Sequence, residues 1–279
     1  MGEPFIGSEA VAAGVASHSQ LRRKYTRVFP DVYVTEGTEL THVMRSRAAW
    51  LWSRRRGVLA GFSAASLHGS NWVDAARPVD IIHDNRHPPP GLTTWGDRLE
   101  GDEFVWIDGV AVTTPARTAV DLACWYPLTT AVAAIDALAR VTDVKMADAE
   151  LLAARYRGRR GIEGARASLE LVDAGAQSPK ETWLRLVLVR AGLPRPQTQI
   201  PVVDECGSTF AFLDMGWDDV KVAVEYDGDQ HRSDHSQYAW DIARHERLRR
   251  RGWIVVRVIA GDRPADIVRR VRDALACRA

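Results

Sequence analysis

Three acidic residues near the C-terminus have the spacing of a metal site on neighbouring β-strands. Glu225 lies at the end of the run 220–226, Asp227 follows this run directly, and Asp214 lies near the end of an earlier strand-like run. Because side chains alternate along a strand, Glu225 and Asp227 project to the same face. A hairpin turn at 216–219 would place Asp214 beside Glu225. Carboxylates gathered in this way repel one another unless a cation holds them, so the pattern predicts Mg²⁺ or Mn²⁺ bound by Asp214, Glu225 and Asp227.

The elements that position these acids form a distinct C-terminal pattern, which begins at Gly175–Ser178. The pattern predicts, in order, a helix at 179–191, strands at 198–203, 208–215 and 220–226, a helix at 236–251, a strand at 253–259 and a helix at 264–276. The last strand is a near-continuous apolar run, which is typical of a strand covered on both faces. The order αβββαβ therefore predicts a small mixed sheet flanked by helices.

The N-terminal residues 4–36 have the pattern of a small winged helix. We expect a short helix that Ser8 caps and Gly14 ends, a second helix in SHSQLRRKYT, and a strand in VFPDVYV. The second helix carries three consecutive basic residues, which we predict to contact DNA: Arg22, Arg23 and Lys24. A basic helix of this length is also compatible with an ordinary solvated surface helix.

The middle of the chain reads as mainly helical with one β-hairpin. Residues 38–70 favour helices, and Val79–His83 is a candidate strand. FVWIDGVAVTT (104–114) is typical of a hairpin that turns at Asp108-Gly109. Thr114 and Pro115 have the order of a helix cap and a first-turn proline. The chain thus divides into residues 1–40, 41–175 and 176–279, and its predicted class is α/β in the α+β sense.

Composition narrows the class of protein. The chain has 279 residues, 46% of them hydrophobic, and no apolar run of the roughly 18 residues that a membrane helix needs. Its N-terminus lacks the features of a secretory signal, and its three cysteines are isolated, so we expect a reducing cytoplasm and no membrane partner. Residues 1–60 hold nine Lys/Arg against five Asp/Glu, an excess that favours DNA as a partner. Solvated helix faces would explain this excess equally well.

The C-terminal motifs resemble the restriction-endonuclease-like superfamily of PD-(D/E)xK nucleases, in the branch of the very-short-patch-repair endonucleases. The matching segments are SPKETWLR (178–185), LDMGW (213–217), VEYDGDQH (224–231), Asp241 with Arg244, and GWIVVRV (252–258). Upstream, the chain resembles regions fused to such domains in actinobacteria. In these regions a winged helix of the abortive-infection antitoxin type precedes a T-P-x-R-T-x-x-D-L signature, here Thr114 to Leu122.

The resemblance implies metal-dependent hydrolysis of DNA phosphodiesters. Asp214 and Glu225 would bind one or two metal ions, which lower the pKa of a bound water and stabilise the leaving oxygen. Glu181 would approach from the first helix as an outer or second-metal ligand. Ser178 and Glu181 also form a good capping box, so Glu181 could instead close a helix end.

One departure from the superfamily concerns the lysine that normally follows two residues after the glutamate. Here Asp227 holds that place, and the nearest branch commonly has an aspartate there, followed by glycine and a histidine. In that version His231 would act as the general base, or Asp227 as another metal ligand. His231 could also be an ordinary loop histidine, and the loss of the lysine could mean that catalysis is lost.

The helix 236–251 is rich in arginine and could follow the DNA backbone. Arg244 and Arg247 are its predicted phosphate contacts. A basic helix end also complements the helix dipole, which is the alternative for its last arginines.

The sequence is therefore compatible with two functions from different classes. The first is a Mg²⁺- or Mn²⁺-dependent DNA endonuclease in repair or defence, with catalytic residues Glu181, Asp214, Glu225, Asp227 and His231. The second is a non-catalytic DNA-binding regulator or antitoxin with a degenerate nuclease-like domain. DNA is the partner in both, a toxin or repair protein is a further possible partner, and the oligomeric state stays open.

Overall fold

The computed structural model describes residues 2–228 and 235–278, with no side chains described for 235–241. His231, one of the predicted catalytic residues, lies outside the described residues. The chain divides into two compact units, Met1–Val172 and Asp173–Ala279. Within the described residues, 11 helices and 12 strands in three sheets give a mixed α+β fold, which confirms the predicted class.

The first unit begins with a helix-turn-helix and a β-wing. Its elements are β1 (Phe5–Ile6), α1 (Gly7–Ala12), α2 (His18–Lys24), β2 (Tyr25–Phe29) and β3 (Val32–Thr35), with the sheet order β1-β3-β2. Residues 28–34 do not form the single strand that we predicted, because the chain reverses at Pro30 and Asp31. Proline lacks a backbone donor, and Asp31 has a φ of 60°, so this pair forms the turn of the wing.

A five-stranded sheet follows, where the sequence predicted only a hairpin and a lone strand among helices. The elements are α3 (His42–Trp52), β4 (Val58–Leu59), α4 (Gly61–Leu67), β5 (Val79–Ile82), β6 (Leu92–Trp95), β7 (Phe104–Ile107) and β8 (Val110–Thr113), and the sheet order is β6-β5-β4-β8-β7. Strand β4 has two residues and β6 has four, which are too few to show a period of two. The helical prediction for 38–70 is therefore wrong over β4.

The hairpin of β7 and β8 is confirmed, with Ile107 opposite Val110. Asp108 and Gly109 have φ values of 47° and 76°, the positive values that a type I′ turn requires. Four helices complete the unit: α5 (Pro115–Trp125), α6 (Leu128–Val141), α7 (Met146–Arg155) and α8 (Ile162–Glu170). Thr114 caps α5, with Pro115 in its first turn, as predicted.

The second unit has the predicted order of helices and strands. It consists of α9 (Pro179–Arg190), β9 (Gln197–Val203), β10 (Thr209–Trp217), β11 (Val222–Asp227), α10 (His235–Arg250), β12 (Ile254–Ile259) and α11 (Pro264–Ala276). The sheet order is β12-β11-β10-β9, in which β11 and β12 are parallel and the other pairs antiparallel. Val222 and Val224 belong to the core that contains residues of α9 and α11, whereas Ala223 packs with Leu248 of α10 on the other face.

The turn between β10 and β11 lies two residues beyond the predicted 216–219. Strand β10 continues to Trp217, and Met215 pairs with Val224. Continuing this register by one pair sets Asp214 level with Glu225. The predicted neighbours are therefore neighbours, although the turn that we predicted would not have aligned them.

Among the described residues, no helix has both the length and the apolar character needed to cross a bilayer.

Candidate functional site

The second unit brings three of the predicted acids together. Asp214 accepts a hydrogen bond from the backbone N–H of Tyr226 at 2.9 Å. Burial, followed by the neighbouring charge of Glu181, raises the pKa of Asp214 to about 7, and the charge of Glu225 adds to this rise. Helix α9 and strands β10 and β11 thus contribute one carboxyl group each to a shared acid cluster, defined as Glu181, Asp214 and Glu225.

Arg244 of α10 binds both carboxylate oxygens of Glu225. Its Nη2 lies 2.5 Å from Oε1 and its Nη1 lies 3.1 Å from Oε2. The side chains are only 14% and 11% exposed, so this bidentate pair is largely shielded from water. Nη2 also donates to the carbonyl of Phe212 at 3.0 Å. Arg244, predicted to contact DNA phosphate, is instead directed at the acid cluster in this structure.

Asp227 has an arginine partner of its own. Arg257 of β12 donates to its carboxylate at 2.7 Å. The parallel register pairs Glu225 with Arg257, so the arginine lies beside both acids of β11. The sequence interpretation missed Arg257, although a single charge in the apolar run GWIVVRV is a signal that a partner is needed.

Glu181 performs the capping role that we kept as an alternative. Ser178 caps α9 through the N–H of Glu181 at 3.2 Å, and the hydroxyl of Ser178 donates to Glu181 Oε1 at 2.9 Å. The N–H of Gln177 donates to Glu181 Oε2 at 2.8 Å. These contacts orient the carboxylate towards the cluster, so capping and proximity to Asp214 occur together.

The donor set, as arranged, does not fit a divalent cation. Within the described residues, no group of three or more His, Cys, Asp or Glu side chains is placed to hold a metal ion. The reason is local: Arg244 occupies both oxygens of Glu225, and Arg257 engages Asp227. Metal binding at Asp214, Glu225 and Asp227 stays a prediction.

The winged helix exposes four basic side chains close together in sequence. Arg22, Arg23 and Lys24 end α2 with exposed side chains, and Arg27, which the sequence interpretation did not include, is exposed on β2. The described residues place no acid within ion-pair distance of these four side chains. Leu21 on the same helix is buried, so packing anchors α2 while its basic end stays in solvent. We name these four side chains the wing cations.

A cap at the start of α2 fixes its orientation. The Ser17 hydroxyl accepts from the N–H of Gln20 at 3.2 Å, and the Gln20 side chain accepts from the N–H of Ser17 at 2.7 Å. This reciprocal capping box satisfies two backbone donors at the helix start.

Other arginines that could have met phosphate are engaged within the chain. Arg54 pairs with Asp31 of the wing turn at 2.8 Å, and both Nη atoms of Arg55 bind Glu9 at 2.7 Å. Arg247, a predicted DNA contact, stacks over the ring of Phe210 at 4.0 Å and remains about half exposed. Arg54 and Arg55 thus serve the attachment of the winged helix, whereas Arg247 could reach a ligand.

The T-P-x-R-T-x-x-D-L signature forms a buried ionic network. Arg117 and Asp121 are both fully buried, and Nε of Arg117 donates to Asp121 at 2.8 Å. Arg117 also pairs with Glu103, and Arg159 donates to Asp121 at 2.7 Å. Tyr156 completes the network by donating to Glu103 at 2.8 Å. The signature therefore joins α5 to the segment before β7 and to the turn before α8.

The middle of the chain matches a known protein family. Residues 57–173 match the family described as AbiEi antitoxin C-terminal domain. This match confirms the antitoxin resemblance for the region that contains the T-P-x-R-T-x-x-D-L signature, which lies on the five-stranded sheet and the helices after it. The antitoxin-type winged helix at 4–36 lies outside the match and stays a prediction. The resemblance of the C-terminal unit to nucleases stays a prediction.

Two relatives, from two strains of Mycobacterium tuberculosis, cover almost the whole chain. They are Uncharacterized protein MT2308 and Uncharacterized protein Rv2248, each 33% identical over 252 residues, which span 90% of this chain and 90% of each relative. No solved structure matches the chain. Residues 57–173 are similar to the AbiEi antitoxin C-terminal domain, and the chain as a whole belongs to the family of these mycobacterial proteins.

Proposed function

We propose that this chain is a cytoplasmic DNA-binding regulator of the antitoxin type, which contacts DNA through its winged helix. The observation that carries the proposal is the set of wing cations, Arg22, Arg23, Lys24 and Arg27, exposed and without ion-pair partners among the described residues. The match of residues 57–173 to an antitoxin family supports the same class of function.

The wing cations differ from the buried arginines of the chain in what their charges meet. A buried arginine needs an acid, as Arg117 has, but the wing cations are in water and pair with no acid in the described part of the chain. Like charges gathered on one short helix repel one another, and phosphate oxygens relieve this repulsion while condensed counterions are released. A helix-turn-helix with an adjacent wing presents such a helix to the DNA groove and backbone.

The decisive experiment measures DNA affinity against salt concentration. Genomic fragments that the full chain retains would be selected first, and fluorescence anisotropy would then give affinities on one such fragment. The triple variant Arg22→Ala, Arg23→Ala, Lys24→Ala should lose at least about tenfold in affinity. The slope of the logarithm of its affinity against the logarithm of salt concentration should fall in magnitude by roughly 2 to 3.

A control of equal charge tests whether the effect is local. Arg140, Lys145 and Arg157 are exposed and without ion pairs among the described residues, and they lie on or beside the helices of the middle region. The triple alanine variant at these positions should bind DNA as the unaltered chain does. Equal losses in both triple variants, or unchanged binding in the first, would refute the winged helix as the DNA reader.

We further propose that a toxin protein is a second partner of the chain, and that it binds the antitoxin-type region rather than the winged helix. The family match supports a toxin as a partner. A regulator bound to a toxin should change its DNA affinity when the toxin is present, because two ligands on one molecule are linked thermodynamically.

A metal-dependent DNA endonuclease is the second candidate, favoured by one observation. Glu181 and Glu225 lie close enough to Asp214 to raise its pKa, an arrangement found in sites that stabilise cations or move protons. In this function Arg244 must release Glu225 before any metal binds. Plasmid cleavage in Mn²⁺ that disappears in Asp214→Ala would support it, and intact DNA across a broad substrate and metal screen would count against it.

A further inference from the structure

We propose that Arg244 takes the place of a divalent cation in the acid cluster, so that the C-terminal unit binds metal only when this guanidinium is withdrawn. This inference goes beyond DNA binding by the winged helix, since it concerns the other compact unit. It also explains in physical terms why the acids described above are not arranged as a metal site.

The contacts of Arg244 join the two strands that carry the acids. Its guanidinium binds Glu225 of β11 through two hydrogen bonds and the carbonyl of Phe212 on β10 through a third. Phe212 lies two residues before Asp214 on the same strand. A metal ion held by Asp214 and Glu225 would link β10 to β11 at this same place, and Arg244 supplies that link with hydrogen bonds instead of coordination.

The charges of the cluster agree with this replacement. Strand β11 carries two acids, Glu225 and Asp227, and no cation of its own. Arg257 balances Asp227 at 2.7 Å, and Arg244 balances Glu225 at 2.5 Å. Each acid of β11 thus has its own arginine, and a divalent cation entering the cluster would be repelled by the guanidinium next to it.

The partial burial of the pair makes the arrangement persistent. Arg244 and Glu225 are each more than four-fifths buried, and in such surroundings a bidentate arginine–carboxylate pair is shielded from solvent and salt. Removing only the arginine leaves Glu225 with an uncompensated charge beside Asp214 and Glu181. This uncompensated charge is what should attract a metal ion.

The test measures Mn²⁺ binding to the full chain, freed of metal with a chelator, by isothermal titration and by the electron paramagnetic resonance signal of free Mn²⁺. The variant Arg244→Gln should bind one Mn²⁺ at least about tenfold more tightly than the unaltered chain. Adding Glu225→Gln to this variant should abolish the gain. Arg247→Gln, one turn further along α10, should leave the Mn²⁺ affinity unchanged, because within the described part of the chain Arg247 stacks on Phe210 and pairs with Asp204 and not with Glu225.

Two results would overturn the proposal. Equal Mn²⁺ affinity in the unaltered chain and in Arg244→Gln would mean that the guanidinium does not exclude metal. A gain that persists after Glu225→Gln would place the new site elsewhere.

A milder variant keeps the test decisive if Arg244→Gln does not fold, which circular dichroism would reveal. Arg244→Lys keeps the positive charge, but a single ammonium cannot hold both oxygens of Glu225 in the planar geometry of a guanidinium. Its Mn²⁺ affinity should lie between those of the unaltered chain and the glutamine variant, and affinity equal to that of the unaltered chain would refute the proposal. Because DNA binding by the wing cations is measured separately, failure of either idea leaves the other intact.

Discussion

At the scale of single residues, the acids of this chain differ in how their charges are satisfied. Glu225 and Asp227 each have an arginine partner. Asp214 instead accepts the N–H of Tyr226, and this bond and the charge of Arg244 do not outweigh its burial and the charges of Glu181 and Glu225. Its pKa of about 7 lies above its ordinary value of 3.8. The protonation of Asp214 therefore changes near neutral pH.

We predict that this elevated pKa makes the second unit less stable as pH rises. The folded protein keeps a proton on Asp214 at pH values where the unfolded chain, with its lower pKa, has lost it. The contribution of Asp214 to the free energy of unfolding is therefore fully present below about pH 4 and is lost as pH rises through about 7. Asp214→Asn keeps an acceptor for Tyr226 and cannot ionise. The free energy of unfolding of this variant is compared with that of the unaltered chain in the presence of a chelator. The difference, variant minus unaltered chain, should be about 1 to 3 kcal/mol larger at pH 8 than at pH 5. If the free energies of unfolding of the two proteins, measured by urea denaturation, change in parallel between pH 5 and pH 8, the elevated pKa of Asp214 is contradicted.

The buried network of the antitoxin-type signature leads to a second prediction at this scale. Arg117→Met should lower the free energy of unfolding by about 3 to 5 kcal/mol, because Asp121 and Glu103 would lose their buried cation. Arg157→Met, at an exposed position without an ion pair among the described residues, should change it by less than about 0.5 kcal/mol. Urea denaturation measures both variants, and a loss below about 1 kcal/mol for Arg117→Met would show that the network is not stabilising as a unit.

At the scale of elements, the acid cluster depends on the close pairing of β10 with β11. Gly216 lies opposite Ala223, and a methyl group added at Gly216 would lie 2.8 Å from the Cα of Ala223 and closer still to the carbonyl of Val222. Neither neighbour is a flexible side-chain end, so the strands would have to separate. The alignment of Asp214 with Glu225 would then change.

The same substitution at two glycines should have opposite effects. Gly216→Ala should destabilise the second unit by about 1 to 3 kcal/mol, because the strands must move apart. Gly164→Ala in α8 should stabilise the first unit by about 0.5 to 1 kcal/mol, because nothing lies within 4 Å of the added methyl group and alanine favours a helix. Thermal denaturation compares the two, and a shift of the same sign in both would contradict this account.

At the scale of the whole molecule, each compact unit has its own cores. The first unit has one core among its helices α5 to α8 and another against its five-stranded sheet. The second unit has one core on each face of its four-stranded sheet. Separate cores are the condition for independent folding. The division into units also assigns the two candidate functions to different parts of the chain.

We therefore expect fragments 1–172 and 173–279 to fold separately. Each should show a cooperative thermal transition by circular dichroism and dispersed amide signals by nuclear magnetic resonance. The first fragment should retain the salt-dependent DNA binding of the full chain, because it carries the wing cations. An unfolded fragment would contradict the independence of the units, and full DNA affinity in fragment 173–279 alone would contradict the assignment of DNA binding.

The sequence by itself determined the elements whose signals are local. The cap and proline at Thr114 and Pro115, the Asp108-Gly109 turn and the order of elements in the second unit all follow from backbone and side-chain preferences within a few residues. Only the tertiary structure decided which distant charges meet. The five-stranded sheet is built from strands too short to show a period, and Arg244 and Arg257 reach Glu225 and Asp227 from elements that follow in sequence but pack beside β11. Charge pairing depends on distance in space, which spacing along a chain does not encode.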